Sequence, residues 1–168
     1  MWPVVFGVLA AVTLLSSWRH ESLRAIGIML ALGYCVSHFV TYMFLANMMF
    51  FETRVLVYSF IEVGVGSIAF MLYMCGGSRA LIAVVAFAMA SICANLAILV
   101  VTPPNLTPPL ETRHLWNLVT NVCFALECLV VSLKAAADRD RDRRYDRRPS
   151  HARLLVARDA DPWTPKAD

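Results

Sequence analysis

Long apolar stretches are the feature of this sequence that most constrains its fold. A transmembrane helix needs about 20 mostly apolar residues, and five stretches approach or meet that length: residues 2–18, 25–51, 55–75, 80–101 and 115–133. Open sheets cannot cross lipid because their edge amides would be unsatisfied, and these stretches lack the alternation of barrel strands. The sequence therefore predicts an all-α fold, a polytopic transmembrane helix bundle with five spans.

The breaks between these stretches are polar or unfavourable to helices. Arg19 and Arg24 separate the first pair, residues 52–54 separate the second from the third, and Gly76-Gly77 predicts a tight turn. Four prolines between residues 102 and 109 predict an extended connection before the last span. The first stretch is short and has no basic residue ahead of it, which favours a retained span over a signal peptide. If it lies in the membrane interface instead, four spans remain.

Charge divides the chain into two predicted regions. Only 16% of the residues are charged. The segment up to Leu133 contains five basic and five acidic side chains, so the net charge of +3 comes from the C-terminal tail. We expect a transmembrane bundle over residues 1–134 and a charged, disordered cytoplasmic tail over residues 135–168. The start of the tail can extend the last helix, with Asp140 facing Arg144 at the i,i+4 spacing. The arginines expected to dominate tail electrostatics are Arg139, Arg141, Arg143, Arg144, Arg147 and Arg148.

Positive charges near the span ends predict the orientation, because cytoplasmic loops are enriched in Lys and Arg. A cytoplasmic C-terminus places Arg19, Arg24, Arg79 and Lys134 on the same side as the tail. Arg54 and Arg113 then lie outside. With five spans the N-terminus is also outside, and we expect an integral protein of the bacterial inner membrane.

Several polar side chains fall within the predicted spans. Ionisable groups there cost about 2.5–3.5 kcal/mol on insertion scales, so each needs a partner or a function. Helical periodicity places these side chains on helix faces that can be buried against each other. They hydrogen-bond between helices and hold the bundle together, or they line a path for protons or cations. The residues concerned are His38, Glu62, Asn95, Asn117, Asn121 and Glu127.

Small residues predict where helices approach closely. Ala86, Ala90 and Ala94 form a seam at four-residue spacing on the fourth span, and Gly66 lies on a small, polar face of the third. The five cysteines lie in apolar surroundings without a CxxC spacing, so we interpret them as small packing residues.

Known chemical signatures are missing from the sequence. It contains no GxSxG, HExxH, GxGxxG or P-loop motif, and its neighbouring His and Glu pairs are too small for a metal site. We therefore expect a protein that is not an enzyme, has no cofactor or metal and does not bind nucleic acid. The expected partners are the lipid bilayer, further copies of the chain and a protein that contacts the tail.

The layout resembles that of phage holins: a short chain, nearly all spans, that ends in a strongly charged tail carried by residues 139–148. Holins usually have one to three spans. The resemblance implies self-association in the inner membrane and a lesion that releases an endolysin. The seam of Ala86, Ala90 and Ala94 would then be an oligomer surface.

Two other functions compete with the holin-like interpretation. In a small transporter or channel subunit, Glu62 and His38 would form a site within one bundle together with Asn95 and Asn121. In a membrane scaffold, the tail would recruit a partner while the bundle served only as an anchor.

Overall fold

The computed structural model describes residues 2–103 and 106–146, and all regular structure within these ranges is helical. The predicted all-α fold class is therefore confirmed. The expectations for Arg147, Arg148 and the disordered part of the tail lie outside the described residues. The five helices, in chain order, are α1 (Trp2–Ser17), α2 (Glu21–Leu45), α3 (Phe51–Met74), α4 (Ala80–Val101) and α5 (Leu110–Asp146).

Four of the five helices are long and apolar enough to cross a membrane: Leu23–Leu45, Phe51–Met74, Ala80–Val101 and Leu110–Arg144. The chain is therefore a polytopic integral membrane protein. Helix α1 is also apolar but has 16 residues. At a rise of 1.5 Å per residue it is about 24 Å long, less than the roughly 30 Å of a hydrocarbon core.

The predicted end of the second span at residue 51 is wrong. Asn47 adopts a left-handed conformation with φ of 56°. The Met48 amide donates to the Met43 carbonyl and the Asn47 amide to that of Phe44, the two hydrogen bonds of a Schellman motif. This motif ends α2 at Leu45. Asn47 therefore lies in a turn, and residues 52–54 belong to the first turn of α3 instead of separating two spans.

The predicted turn at Gly76-Gly77 is confirmed and has the same geometry. Gly76 has φ of +86°, and the Gly77 amide donates to the Leu72 carbonyl at 3.0 Å. The fourth span matches its predicted limits, since α4 runs from Ala80 to Val101. Helix α5 is longer than its predicted span of 115–133. It begins at Leu110, directly after Pro109, and continues to Asp146.

Two apolar clusters hold the bundle together, one towards each end. The first joins α2, α3, α4 and α5 through residues such as Leu30, Val65, Val84 and Val131. The second joins α3, α4 and α5 through Phe51, Val55, Ile98 and Trp116. On α3 and α5 the residues between these clusters include Glu62 and Glu127, so a polar layer separates the two apolar ones.

Helix α1 packs against α2 and α5 through small and hydroxyl residues. Gly27 of α2 lies so close to Ser17 that an added Cβ would be 2.0 Å from the serine Oγ. The Thr13 hydroxyl is fully buried and lies 3.2 Å from the Ser132 hydroxyl of α5. These contacts fix α1 beside both helices even though it is the shortest of the five.

The chain divides into two compact units, Met1–Ala135 and Ala136–Asp168. In the second unit the expected pair between Asp140 and Arg144 is present, with Arg144 Nη2 2.6 Å from an Asp140 carboxylate oxygen. Both side chains are more than half exposed, so we expect the pair to contribute at most a few tenths of a kcal/mol.

Candidate functional site

A cavity of about 230 Å³ lies within the first unit and is lined by residues from all five helices. Its lining is mostly apolar, with residues such as Leu30, Ile61, Val65 and Phe124, but many polar side chains also face it. Two of the lining residues, His38 and Asn121, are exposed, so the cavity reaches the molecular surface. A partly polar cavity inside a bundle is a common form of solute site in membrane proteins.

Two carboxyl groups face one part of this cavity. Glu127 of α5 is fully buried, and among the described residues its carboxyl group has one polar neighbour within hydrogen-bonding reach, the carboxyl group of Glu62. Glu62 of α3 accepts a hydrogen bond from the Ser91 hydroxyl at 3.0 Å, and its other oxygen is buried. The two carboxyl groups are close enough to interact electrostatically. Two negative charges here would repel each other in a poorly solvated place, so a proton or another positive charge must compensate them.

A buried guanidinium group faces the other part of the cavity. Arg54 is 8% exposed. Its Nε donates to the Tyr58 hydroxyl at 3.4 Å and its Nη2 to the Asn117 side-chain oxygen at 3.3 Å. Its guanidinium carbon lies 5.1 Å from the Trp116 ring centroid, 5.2 Å from that of Phe44 and 5.4 Å from that of Tyr58. Three aromatic faces and two neutral acceptors therefore surround this cation.

Hydroxyl groups connect α2 to this region. The Tyr58 hydroxyl lies 2.6 Å from the Thr41 hydroxyl and donates to the Ser37 carbonyl at 3.2 Å. It also accepts the hydrogen bond from Arg54. Tyr58 thus orients the guanidinium group and ties α2 to α3 at the same point.

Asn95 and Trp116 form a buried polar contact beside Arg54. The Trp116 indole N–H donates to the Asn95 side-chain oxygen at 2.8 Å, and Asn95 is fully buried. Its amide nitrogen has no hydrogen-bond partner among the described residues. Asn95 does not line the cavity itself, but it fixes the ring against which Arg54 packs.

The structure brings five of the six polar residues singled out from the sequence to one cavity. His38, Glu62, Asn117, Asn121 and Glu127 all line it, whereas Asn95 lies behind Trp116. His38 stacks on Tyr34, with ring centroids 6.1 Å apart. Whether these residues are structural or form an ion path stays a prediction.

The predicted seam on α4 does not face another helix over its whole length. Ala86 and Ala90 are exposed, while Ala94 packs against the second apolar cluster. The buried side of α4 instead carries Ala88, Ser91 and Asn95, because α3 approaches α4 there. Gly66 belongs to that contact, since an added Cβ would lie 3.2 Å from the Cβ of Ala88.

Sequence reasoning missed Arg54 and Trp116 as site residues. Arg54 was expected outside because the second span was predicted to continue to residue 51, and Trp116 was not singled out. The four-residue spacing of Arg54 and Tyr58 on one helix was the available signal.

Within residues 2–103 and 106–146, no group of three or more His, Cys, Asp and Glu side chains could hold a metal ion. Of the predicted tail arginines, Arg139, Arg141, Arg143 and Arg144 lie on the last turns of α5.

The cavity thus combines a buried cation, a pair of carboxyl groups and several hydroxyls inside an otherwise apolar bundle. No protein-family model, curated protein or solved structure matches this chain.

Proposed function

We propose that the protein is a small transporter or channel subunit in which Glu62 and Glu127 carry protons through the polar cavity. The observation that supports this most directly is that Glu127, a fully buried side chain, lies beside the carboxyl group of Glu62 within hydrogen-bonding reach. Two adjacent carboxyl groups in a poorly solvated place cannot both be charged unless a proton or cation compensates them. Intramembrane carboxyl groups in cavities are typical of proton pathways.

The proton is the best candidate for the carried species because the site offers few ligands. Calcium takes six to eight oxygen ligands and magnesium requires an octahedral shell. Here the oxygen atoms that lie close together are those of the two carboxyl groups and the Ser91 hydroxyl. Proton transfer needs only such groups and a short hydrogen-bonded path, which the neighbouring hydroxyls of the cavity can provide.

Proton flux into liposomes tests this function. Purified protein is reconstituted with a pH-sensitive dye inside, and a potassium diffusion potential drives protons inward. The wild type should acidify the lumen, whereas Glu127→Gln and Glu62→Gln should reduce the flux to that of protein-free liposomes. Glu111→Gln is the matched control, because Glu111 is exposed on the first turn of the same helix as Glu127. Equal flux in the wild type and in Glu127→Gln would refute the proposal.

A holin-like pore former is the second candidate. The observation in its favour is that Ala86 and Ala90 are exposed on α4, where a second copy of the chain could pack closely. In this function the protein would self-associate in the bacterial inner membrane and release an endolysin.

Induced expression in a bacterial host, with and without a cytoplasmic endolysin, tests the holin-like function. Abrupt loss of membrane potential, followed by lysis only with the endolysin, is expected. The double variant Ala86→Leu and Ala90→Leu should delay or abolish lysis, because it fills the surface against which a second copy would pack. Met89→Leu, at an exposed site on the same helix, should not. Continued growth with an intact potential would exclude this function.

We propose that α1 crosses the membrane as a fifth span, with local thinning of the bilayer, so that the N-terminus lies outside and the C-terminus in the cytoplasm. The charges that support this orientation are Arg19, Arg24, Arg79 and Lys134 at one end of the helices, against Arg113 at the other. Arg54 no longer counts as a loop charge because it is buried.

The scaffold function stays a prediction, because most of the tail lies outside the described residues.

A further inference from the structure

Arg54 is a buried cation without a negative partner. Its hydrogen bonds go to the Tyr58 hydroxyl and the Asn117 amide oxygen, both neutral, and it forms no ion pair within the described residues. A charge buried in a bundle is costly unless it is paired. Aromatic faces compensate a guanidinium group only in part, by about 0.5–2 kcal/mol each.

The guanidinium group also has unused hydrogen-bonding capacity. It carries five N–H donors in a planar fork, and only Nε and Nη2 donate to described residues. Nη1 makes no such bond, and the residue lines the cavity. The pair Nη1 and Nη2 is the edge that binds a carboxylate with two parallel hydrogen bonds.

We propose that Arg54 is the binding site for the carboxylate of a small organic monocarboxylate that occupies the cavity. This inference rests on the proposed use of the cavity for transport. The apolar residues Ile61, Val65 and Phe124 line the space beyond Arg54, so an aliphatic body fits there better than a second polar group.

The far part of the cavity selects against a second negative charge. Glu62 lies eight residues after Arg54 on α3, about 12 Å along the helix axis. A dicarboxylate bound at Arg54 would bring a further negative charge, with no cation beside it, into the cavity that already holds the Glu62 and Glu127 carboxyl groups, and an uncompensated charge in a poorly solvated site is costly. A monocarboxylate avoids this cost.

Trp116 provides a direct signal for the test, because its ring lies 5.1 Å from the guanidinium carbon. Changing Trp2, Trp18 and Trp163 to Phe leaves Trp116 as the single tryptophan. This protein is placed in lipid nanodiscs and titrated with sodium butyrate, sodium succinate and sodium chloride at constant ionic strength. Butyrate should change the fluorescence saturably, while succinate and chloride should bind at least about tenfold more weakly.

Variants of Arg54 complete the test. Arg54→Gln should abolish the butyrate response. Arg54→Lys, which keeps the charge but loses the planar fork, should weaken binding at least about tenfold and remains informative if Arg54→Gln does not fold. The control Arg113→Gln changes a half-buried arginine that does not line the cavity and should bind as the parent does.

Three results would overturn the inference: no saturable response to butyrate, an unchanged response in Arg54→Lys, or equal affinity for succinate or chloride. Failure here is distinct from failure of the proposed function. Proton flux that depends on Glu127 without butyrate binding would refute only the carboxylate site. Butyrate binding without any proton flux would refute only the transport proposal.

Discussion

At Arg54 a guanidinium group lies among three aromatic rings, and no ion pair joins it to a carboxylate of the part of the chain that the structure describes. At Glu127 a carboxyl group is fully buried beside the carboxyl group of Glu62. Both residues line one cavity. An anion that enters the cavity can therefore compensate the Arg54 guanidinium group, and a proton or cation can compensate the Glu127 carboxylate. Residues that were only structural would be expected to compensate each other directly, because an unpaired buried charge destabilises a fold by several kcal/mol.

Among the described residues, Asn47 is the one residue other than glycine whose backbone φ is positive. Its φ of 56° is costly for side chains branched at Cβ. We expect Asn47→Val to lower the free energy of unfolding by about 1–2 kcal/mol, whereas Asn47→Gly should be neutral or slightly stabilising. Thermal unfolding in detergent micelles measures both, with Met48→Val as the control at the next position. Equal stabilities of Asn47→Val and Asn47→Gly would contradict this account.

At the scale of elements, turns set the helix lengths. The left-handed residues Asn47 and Gly76 end α2 and α3 after 25 and 24 residues. Pro109 precedes the first residue of α5, where its missing N–H and fixed φ suit the entry to a helix. Helix α1, with 16 residues, depends on its contacts with α2 and α5 through Ser17 and Thr13 more than on its own length.

The polar layer also belongs to the scale of elements. It lies between two apolar clusters, so the helices pack tightly at both ends and leave the cavity between them. Phe51, Val55 and Ile98 close the bundle next to Arg54. Apolar packing on both sides limits the water that can reach the two carboxyl groups, which strengthens their electrostatic interaction.

At the scale of the whole molecule, the orientation in the membrane is the main testable property. Cys75 is exposed in the turn after α3, and Met48 is exposed in the turn at the opposite helix ends. With Cys75 as the only cysteine, we expect a membrane-impermeant maleimide to label inverted vesicles and not spheroplasts. Met48→Cys in a cysteine-free chain should give the reverse pattern. Labelling of Cys75 from outside would contradict the proposed orientation.

Local sequence determined much of this fold. The limits of α4 follow from a mostly apolar stretch without charged residues, glycine or proline between Arg79 and Thr102, and the turn at Gly76 follows from a residue type that tolerates positive φ. The all-α class follows from the need to satisfy backbone amides in lipid. These features depend on neighbours in the chain, so periodicity and composition suffice to predict them.

Only the tertiary structure decided which polar residues meet. Arg54 and Asn117 are 63 residues apart in the chain, and Asn95 and Trp116 are 21 apart, yet each pair is in hydrogen-bonding contact. Periodicity gives the face on which a side chain lies but not the helix that covers that face. The packing of the five helices therefore decided that Arg54 is buried, that Ala86 is exposed and that Asn95 lies apart from the cavity. Contacts between residues far apart in the chain determine which charges are compensated, and the local sequence does not contain them.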